Sequence, residues 1–273
     1  MKACMLVAQR EMKVGLRNPW AYSFLVLFSV FLGSLLLINA KGYVSGYSGM
    51  TSTILNLVLH LLPLMALMLG SFSLAGEKED GHWELLATYP IGIWSYLAGK
   101  FLGLAAALFI ITAFGFGFAG VLGWMAGSAL AFRDWLLLLV FSCCLTVFFL
   151  AVSMVTGAAA NNRWQALTMS VALWFVWVIA WAPLLIGILG MLPFGWVKPA
   201  ITALTLLNPA ELARLFVIVK LGGGSVAGPE YYEWMQWVHG SAGTIGLCAW
   251  LMIWIAGGLA LSRILWERRT ARG

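Results

Sequence analysis

Three places in this sequence hold residue types that could do chemistry. Inside an apolar run, His60 follows Asn56 by four residues, with Met65 and Met68 close behind. Imidazole and thioether together suit copper. Four residues apart on a helix, Asn56 and His60 share a face. Met65 lies about 140° and Met68 about 80° around the same helix from His60, so one helix does not gather all three. Buried polar groups are ordinarily satisfied by hydrogen bonds, and we read Asn56 and His60 as a polar face turned to the bundle interior, with no metal ligand. Gly99-Lys100 looks like the end of a phosphate loop, but Trp94 stands where its first glycine belongs and Phe101 where Ser or Thr must follow. Cys4, Cys143, Cys144 and Cys248 make no Cys-x-x-Cys pair, and neither His-Glu-x-x-His nor Gly-x-Ser-x-Gly occurs. No catalytic constellation emerges. The expectation is a non-enzymatic chain with no cofactor or metal of its own.

What remains is charge and amphipathicity. The densest charge cluster runs from Gly76 to Pro90 and contains Glu77, Glu79, Asp80, Gly81, His82, Trp83, Glu84, Leu85 and Leu86. Gly81 can break a first turn, His82 to Thr88 can form a short helix, and Pro90 stops it. Such a helix suits docking to a soluble partner. Arg10, Lys13 and Arg17 recur at helical spacing, with Met5, Ala8, Met12 and Leu16 on another stripe. That pattern predicts an amphipathic helix on the membrane surface over 1–18. Asn208-Pro209-Ala210-Glu211 is a helix start, with Asn as cap and Pro at the first position. Leu212, Leu215, Phe216 and Val219 follow on one face, and Gly222 to Gly224 ends the helix. Asn208, Glu211 and Arg214 are placed to meet a partner on the outer side.

The elements that position these residues follow from composition. The chain of 273 residues is 62% hydrophobic and 10% charged, against about 25% charged in soluble domains. A membrane span needs about 20 mostly apolar residues. Six such runs occur, near 20–40, 54–75, 96–124, 135–158, 164–189 and 244–265, joined by a cytoplasmic coupling loop at 76–94 and an outer helical segment at 195–240. The first reads as a retained span rather than a cleaved signal, because its apolar run begins after Arg17 and lacks a small-x-small site. With a cytoplasmic N-terminus, eleven Lys and Arg fall inside and five outside, so both termini are expected in the cytoplasm. The net charge of +6 then reflects this loop bias rather than nucleic-acid binding. The spans read as free of buried Asp, Glu, Lys and Arg, which argues against proton- or sodium-coupled transport. Gly99 and Gly103, and Gly123 and Gly127, have spacing for close helix approach. Trp174, Trp177 and Trp181 form a stripe that reads as core or interhelical contact.

Glu77, Glu79, Gly81, Glu84, Leu85, Leu86, Pro90, Gly99 and Lys100 together resemble the signature loop of ABC-2-type permeases, and Arg10-Glu11 with Leu16-Arg17-Asn18-Pro19 resembles that family's entry helix. His82-Trp83 departs from the usual Thr-Leu. Leu206-Leu207-Asn208-Pro209 to Arg214-Leu215 is most similar to the permeases of the copper-processing transporter that supports nitrous oxide reductase maturation, the NosY type. The resemblance implies an all-α integral membrane protein of six transmembrane helices, like a type V ABC exporter, with an interfacial N-terminal helix and short outer helices between spans five and six. It also implies a bacterial inner-membrane location, a second copy of the chain, two separate ABC ATPase subunits that carry ATP and Mg, and a periplasmic or extracellular copper-maturation protein. Export of a lipid, peptide or drug, or a scaffold that moves nothing, are the alternatives.

Overall fold

The computed structural model describes residues 2–38, 48–81, 92–127, 130–223 and 232–270. Among them the secondary structure is helical, with no strand. Six helices are long and apolar enough to cross a membrane, and each of the six expected spans maps onto one of them. We name the helices α1 (Lys2–Arg17), α2 (Pro19–Ile38), α3 (Gly49–Glu79), α4 (Ile93–Met125), α5 (Phe132–Ala159), α6 (Arg163–Met191), α7 (Phe194–Leu207), α8 (Pro209–Lys220), α9 (Tyr232–His239) and α10 (Ser241–Thr270).

Local chemistry starts these helices. Ser48 and Thr51 form a reciprocal capping box at α3: the Ser48 hydroxyl accepts the Thr51 N–H and the Ser48 N–H donates to the Thr51 hydroxyl at 2.7 Å. Asn162 accepts the Gln165 N–H at 2.8 Å to start α6, and Asn208 starts α8 in the same way. Pro63 sits inside α3, which continues as one helix on both sides of it. In α6 the stretch Phe175–Ala180 winds as a π-helix, a rare local geometry that concentrates at functional positions.

Small residues set the packing. A Cβ on Gly103 would lie 2.3 Å from the Ala8 carbonyl oxygen, and one on Gly99 would lie 2.7 Å from the Cys4 carbonyl oxygen. The small-residue face of α4 is therefore filled by α1, which runs along its first turns. The face α1 buries against α4 is Val7, Glu11 and Gly15; in the stripe expected to meet the membrane, Ala8, Met12 and Leu16 are half-buried and Met5 is 62% exposed. The reason is space: next to two glycines, the i, i+4 column with the small Gly15 and the flat Glu11 carboxylate fits closest. The core lies where α3, α4 and α5 meet. In the most apolar 18-residue stretch of each helix, 67% of α3 is buried, against 0% of α6 and 6% of α10. α6 and α10 thus pack on the bundle along one side, through residues such as Ser170, Ser262 and Trp266, and leave the other side open.

Candidate functional site: a polar hub where five helices meet the end of α3

The last turn of α3 gathers most of the buried charge among the described residues. The sequence reading placed Gly76 to Glu79 in a loop; the helix instead continues through Glu79 and ends at Asp80 and Gly81, whose positive φ of 68° suits glycine. Glu77 accepts hydrogen bonds from Arg10 Nη1 at 3.0 Å and from the Tyr96 hydroxyl, and Lys100 Nζ stands 3.2 Å from it. Glu11 completes the cluster: Lys100 Nζ lies 3.1 Å from Oε1, and the Ser73 hydroxyl donates to Oε2 at 2.8 Å. Lys100 also donates to the Ser73 carbonyl and hydroxyl at 3.1 and 2.6 Å. Two cations and two anions, with Ser73 and Tyr96, leave none of the four charges without a partner. That is why Lys100 can be 1% exposed inside a spanning helix, and it corrects the expectation that the spans hold no buried ionisable residue.

Successive helical residues point about 100° apart, so the next three side chains reach other elements. Lys78 Nζ donates to the carbonyls of Gly157, Ala158 and Ala160 at 3.2, 2.6 and 3.1 Å. It satisfies the C-terminal oxygens of α5 and places a cation at the negative end of that helix. The same ammonium lies 4.4 Å above the Trp266 ring of α10. Glu79 accepts the backbone N–H of Arg163 at 2.8 Å, and Asp80 accepts Arg163 Nη2 at 2.5 Å; both acids sit at the N-terminus of α6, where negative charge is favoured. Residues 77–80 therefore hold α1, α4, α5, α6 and α10 at once.

The opposite end of the bundle is built differently. α7 and α8 are bent against each other by 106°. α8 is buried apart from the Glu211 and Arg214 face and Lys220, with Ala210, Leu212, Ala213, Leu215, Phe216, Val217, Ile218 and Val219 all in the core. Asn208 at the bend is 1% exposed. Its side-chain oxygen accepts the Ala210 and Glu211 N–H groups, and its Nδ2 donates at 2.9 Å to the carbonyl of Trp177, inside the π-helical stretch of α6. Glu211 and Arg214 pair at 2.6 Å and stay partly exposed. Trp250 of α10 donates to the Leu206 carbonyl at 3.0 Å and fixes the end of α7.

The model of the ABC-2 family transporter proteins matches residues 5–270 of this chain. The chain belongs to the ABC-2 transporter family. It is also 30% identical over 275 residues to a probable ABC transporter permease protein NosY of Stutzerimonas stutzeri, and 30% identical over 287 residues to one of Pseudomonas aeruginosa; each match covers 96% of this chain and 97% of the relative. It is an ABC transporter permease subunit, the multi-pass membrane component rather than the ATPase, and its transporter includes ATPase partner subunits.

In this ABC-2 permease the expected site residues separate. Arg10, Glu77, Glu79, Asp80 and Gly81 come together at the hub, whereas Lys13 and Arg17 are exposed on α1 away from it. His82, Trp83, Glu84, Leu85, Leu86 and Pro90 lie outside the described residues. Asn56 and His60 do not face the interior: Asn56 is exposed, His60 is half-buried, and its Nδ1–H donates at 2.6 Å to the Asn56 carbonyl of its own helix. The interior column of α3 is instead taken by Leu55, Val58, Leu59 and Leu62. The tryptophan stripe makes interhelical contacts, with Trp174 Nε1 donating to the His60 carbonyl at 2.9 Å and Trp177 packed between Phe148 and Trp254. Asn208, expected to meet an outer partner, is consumed as a cap and tie; Glu211 and Arg214 keep exposed surface. Among the described residues, no group of three or more His, Cys, Asp or Glu could hold a metal ion. The residues the sequence reading missed are Glu11, Ser73, Lys78, Tyr96 and Arg163. Glu11 carried a signal: it is the lone acid on α1 and sits in the Val7–Gly15 column.

Proposed function

We propose that this permease couples ATP hydrolysis by two separate cytoplasmic ATPase subunits to work across the bacterial inner membrane, in copper delivery for nitrous oxide reductase maturation. The carrying observation is the hub: the turn 77–80 ties α1, α4, α5, α6 and α10 together immediately before the segment 82–90. A push on that segment enters a turn whose neighbours cannot separate without stranding buried charge. In this reading the ATPases hold ATP and Mg and dock at 82–90 and α1. Both termini are cytoplasmic, in keeping with the excess of Lys and Arg there. A second copy of the chain covers the open faces of α6 and α10, and an external copper-maturation protein sits near Glu211 and Arg214. Closure of the ATPase dimer moves the hub as a rigid body, and Asn208 passes the displacement from α6 to the outer helices.

The experiment is co-expression with the adjacent genes, purification in mild detergent and assay of ATP turnover. The expected result is a co-purifying ATPase whose turnover depends on this chain, and loss of that dependence in the Trp83→Ala, Glu84→Ala double variant. Intact assembly and stimulation in the double variant would remove the docking assignment. A chain that purifies alone and stimulates no ATPase would favour the scaffold alternative. Binding of an external copper-maturation protein to the purified complex tests the copper assignment separately.

A further inference from the structure

Beside the hub, between α1, α3 and the start of α6, lies a cavity of about 420 Å³. Its polar lining includes Arg10, Arg163 and Asp80, with Asp80 paired to Arg163. Its apolar wall includes Val14 and Leu69, and its lip is the pair Trp20 and Phe72, packed edge to face with centroids 6.4 Å apart. Arg10 and Arg163 are close to half exposed, at 47% and 46% of their side chains. Among the described residues, Arg10 donates only through Nη1, and the side chain of Arg163 only through Nη2. A guanidinium carries five N–H donors, so both retain donors for a ligand. Their anchors Glu77 and Asp80 are three residues apart on α3, about 4.5 Å along its axis. The two guanidinium groups therefore meet one short strip at the end of α3.

We propose that this cavity binds the head of a phospholipid that joins a phosphate diester to a primary ammonium, as in phosphatidylethanolamine, drawn from the leaflet on the α1 side. Charge selects the class. Arg10, Lys100 and Arg163 face Glu11, Glu77 and Asp80 in the lining, so the formal charges cancel and neither a bare anion nor a bare cation is favoured. A zwitterion keeps the balance, with its phosphate on the free edges of the two guanidinium groups and its ammonium on Asp80, 38% exposed. Lys100 and Glu11 are consumed by each other and by Ser73, which leaves Arg10, Arg163 and Asp80 as the contact points. A primary ammonium brings three donors, whereas a quaternary one brings none. Trp20 and Phe72 supply the amphipathic border where glycerol and the first acyl carbons leave the head. This inference depends neither on which side of the membrane α1 occupies nor on ATPase docking.

The full-length chain in nanodiscs of phosphatidylcholine is labelled with a trace of photoreactive phosphatidylethanolamine, and the adducts are mapped by mass spectrometry. Adducts are expected on peptides covering residues 10–20 and 69–80. Unlabelled phosphatidylethanolamine should compete about tenfold better than phosphatidylglycerol or phosphatidylcholine, the factor expected from about one net charge-assisted hydrogen bond. Glycerophosphoethanolamine should not compete. Arg163→Gln removes a phosphate donor at a small cost in stability, and Val14→Trp fills the apolar wall without touching an ion pair and at unchanged melting temperature; each should lower labelling about tenfold in folded protein. Undiminished labelling in either variant that remains folded would overturn the site. Equal competition by the other two lipids would overturn the head-group class, and competition by glycerophosphoethanolamine would replace the lipid with a soluble phosphate ester.

Discussion

At the α1 end of the bundle, four ionised side chains, Arg10, Glu11, Glu77 and Lys100, close around Ser73 and Tyr96. At the other end the polar ties are neutral: Asn208 caps α8 and holds the Trp177 carbonyl in the π-helical stretch of α6, and Trp250 holds the Leu206 carbonyl. The first junction is costly to open, because pulling its helices apart separates buried opposite charges that compensate one another. The second can open for one or two neutral hydrogen bonds, each worth about 1 kcal/mol net, and it rests on a winding that is already irregular. A bundle built this way takes up a displacement rigidly at one end and can yield at the other.

Lys100→Met strikes this contrast hardest. It removes the buried cation shared by Glu11 and Glu77, leaving Glu77 to the half-exposed Arg10 and Glu11 to Ser73, and a loss of about 3–5 kcal/mol is expected, read from thermal unfolding of the purified protein in detergent. Adding Glu11→Gln should recover part of that loss, and the double-mutant cycle should show a coupling well above additivity. If Lys100→Met costs no more than a change at Asn208, the two ends are equally rigid and the contrast is wrong. Asn208→Ala comes next, at about 1–3 kcal/mol, since it removes both a cap and a buried hydrogen-bond donor. Asn208→Ser sharpens the point. Serine caps well but is too short to reach the Trp177 carbonyl, so it should restore about 1 kcal/mol of the loss and leave α6 untied.

The spans were legible because lipid imposes a length on apolar runs, and the ends of α2, α4 and α5 fall within a few residues of the expected spans 20–40, 96–124 and 135–158. The hub was not legible, because its logic is non-local. Glu77 reads as a loop residue beside Lys78, Glu79 and Asp80; it is helical and buried only because Arg10 and Lys100, 67 residues before it and a helix after it, neutralise it. The same holds for α1. Its apolar stripe was read for the membrane surface, and the separate column Val7, Glu11 and Gly15 that packs beside the glycines of α4, far along the chain, had no local signal in the pattern. Asn208 was half legible: the cap is written in Asn-Pro-Ala-Glu, whereas the tie to Trp177 needs the π-winding of α6, for which the sequence carries no periodic signal.

The smallest effect is expected at the rim of the hub. Arg163 pairs with Asp80 at 2.5 Å and lies 3.9 Å from Glu79, but all three side chains are more than a third exposed. Water screens such pairs, so Arg163→Ala should cost less than about 1 kcal/mol. In 1 M NaCl, where the Debye length falls to about 3 Å, even that difference should shrink, while the loss from Lys100→Met should persist because its partners are buried. Paired melting curves of the two variants at low and high salt measure this directly. A large, salt-independent loss at Arg163 would mean that the start of α6 belongs to the rigid charge cluster rather than to its rim. The boundary between the end that holds and the end that yields would then have to move outward along α6, toward the π-helical turn at Trp177.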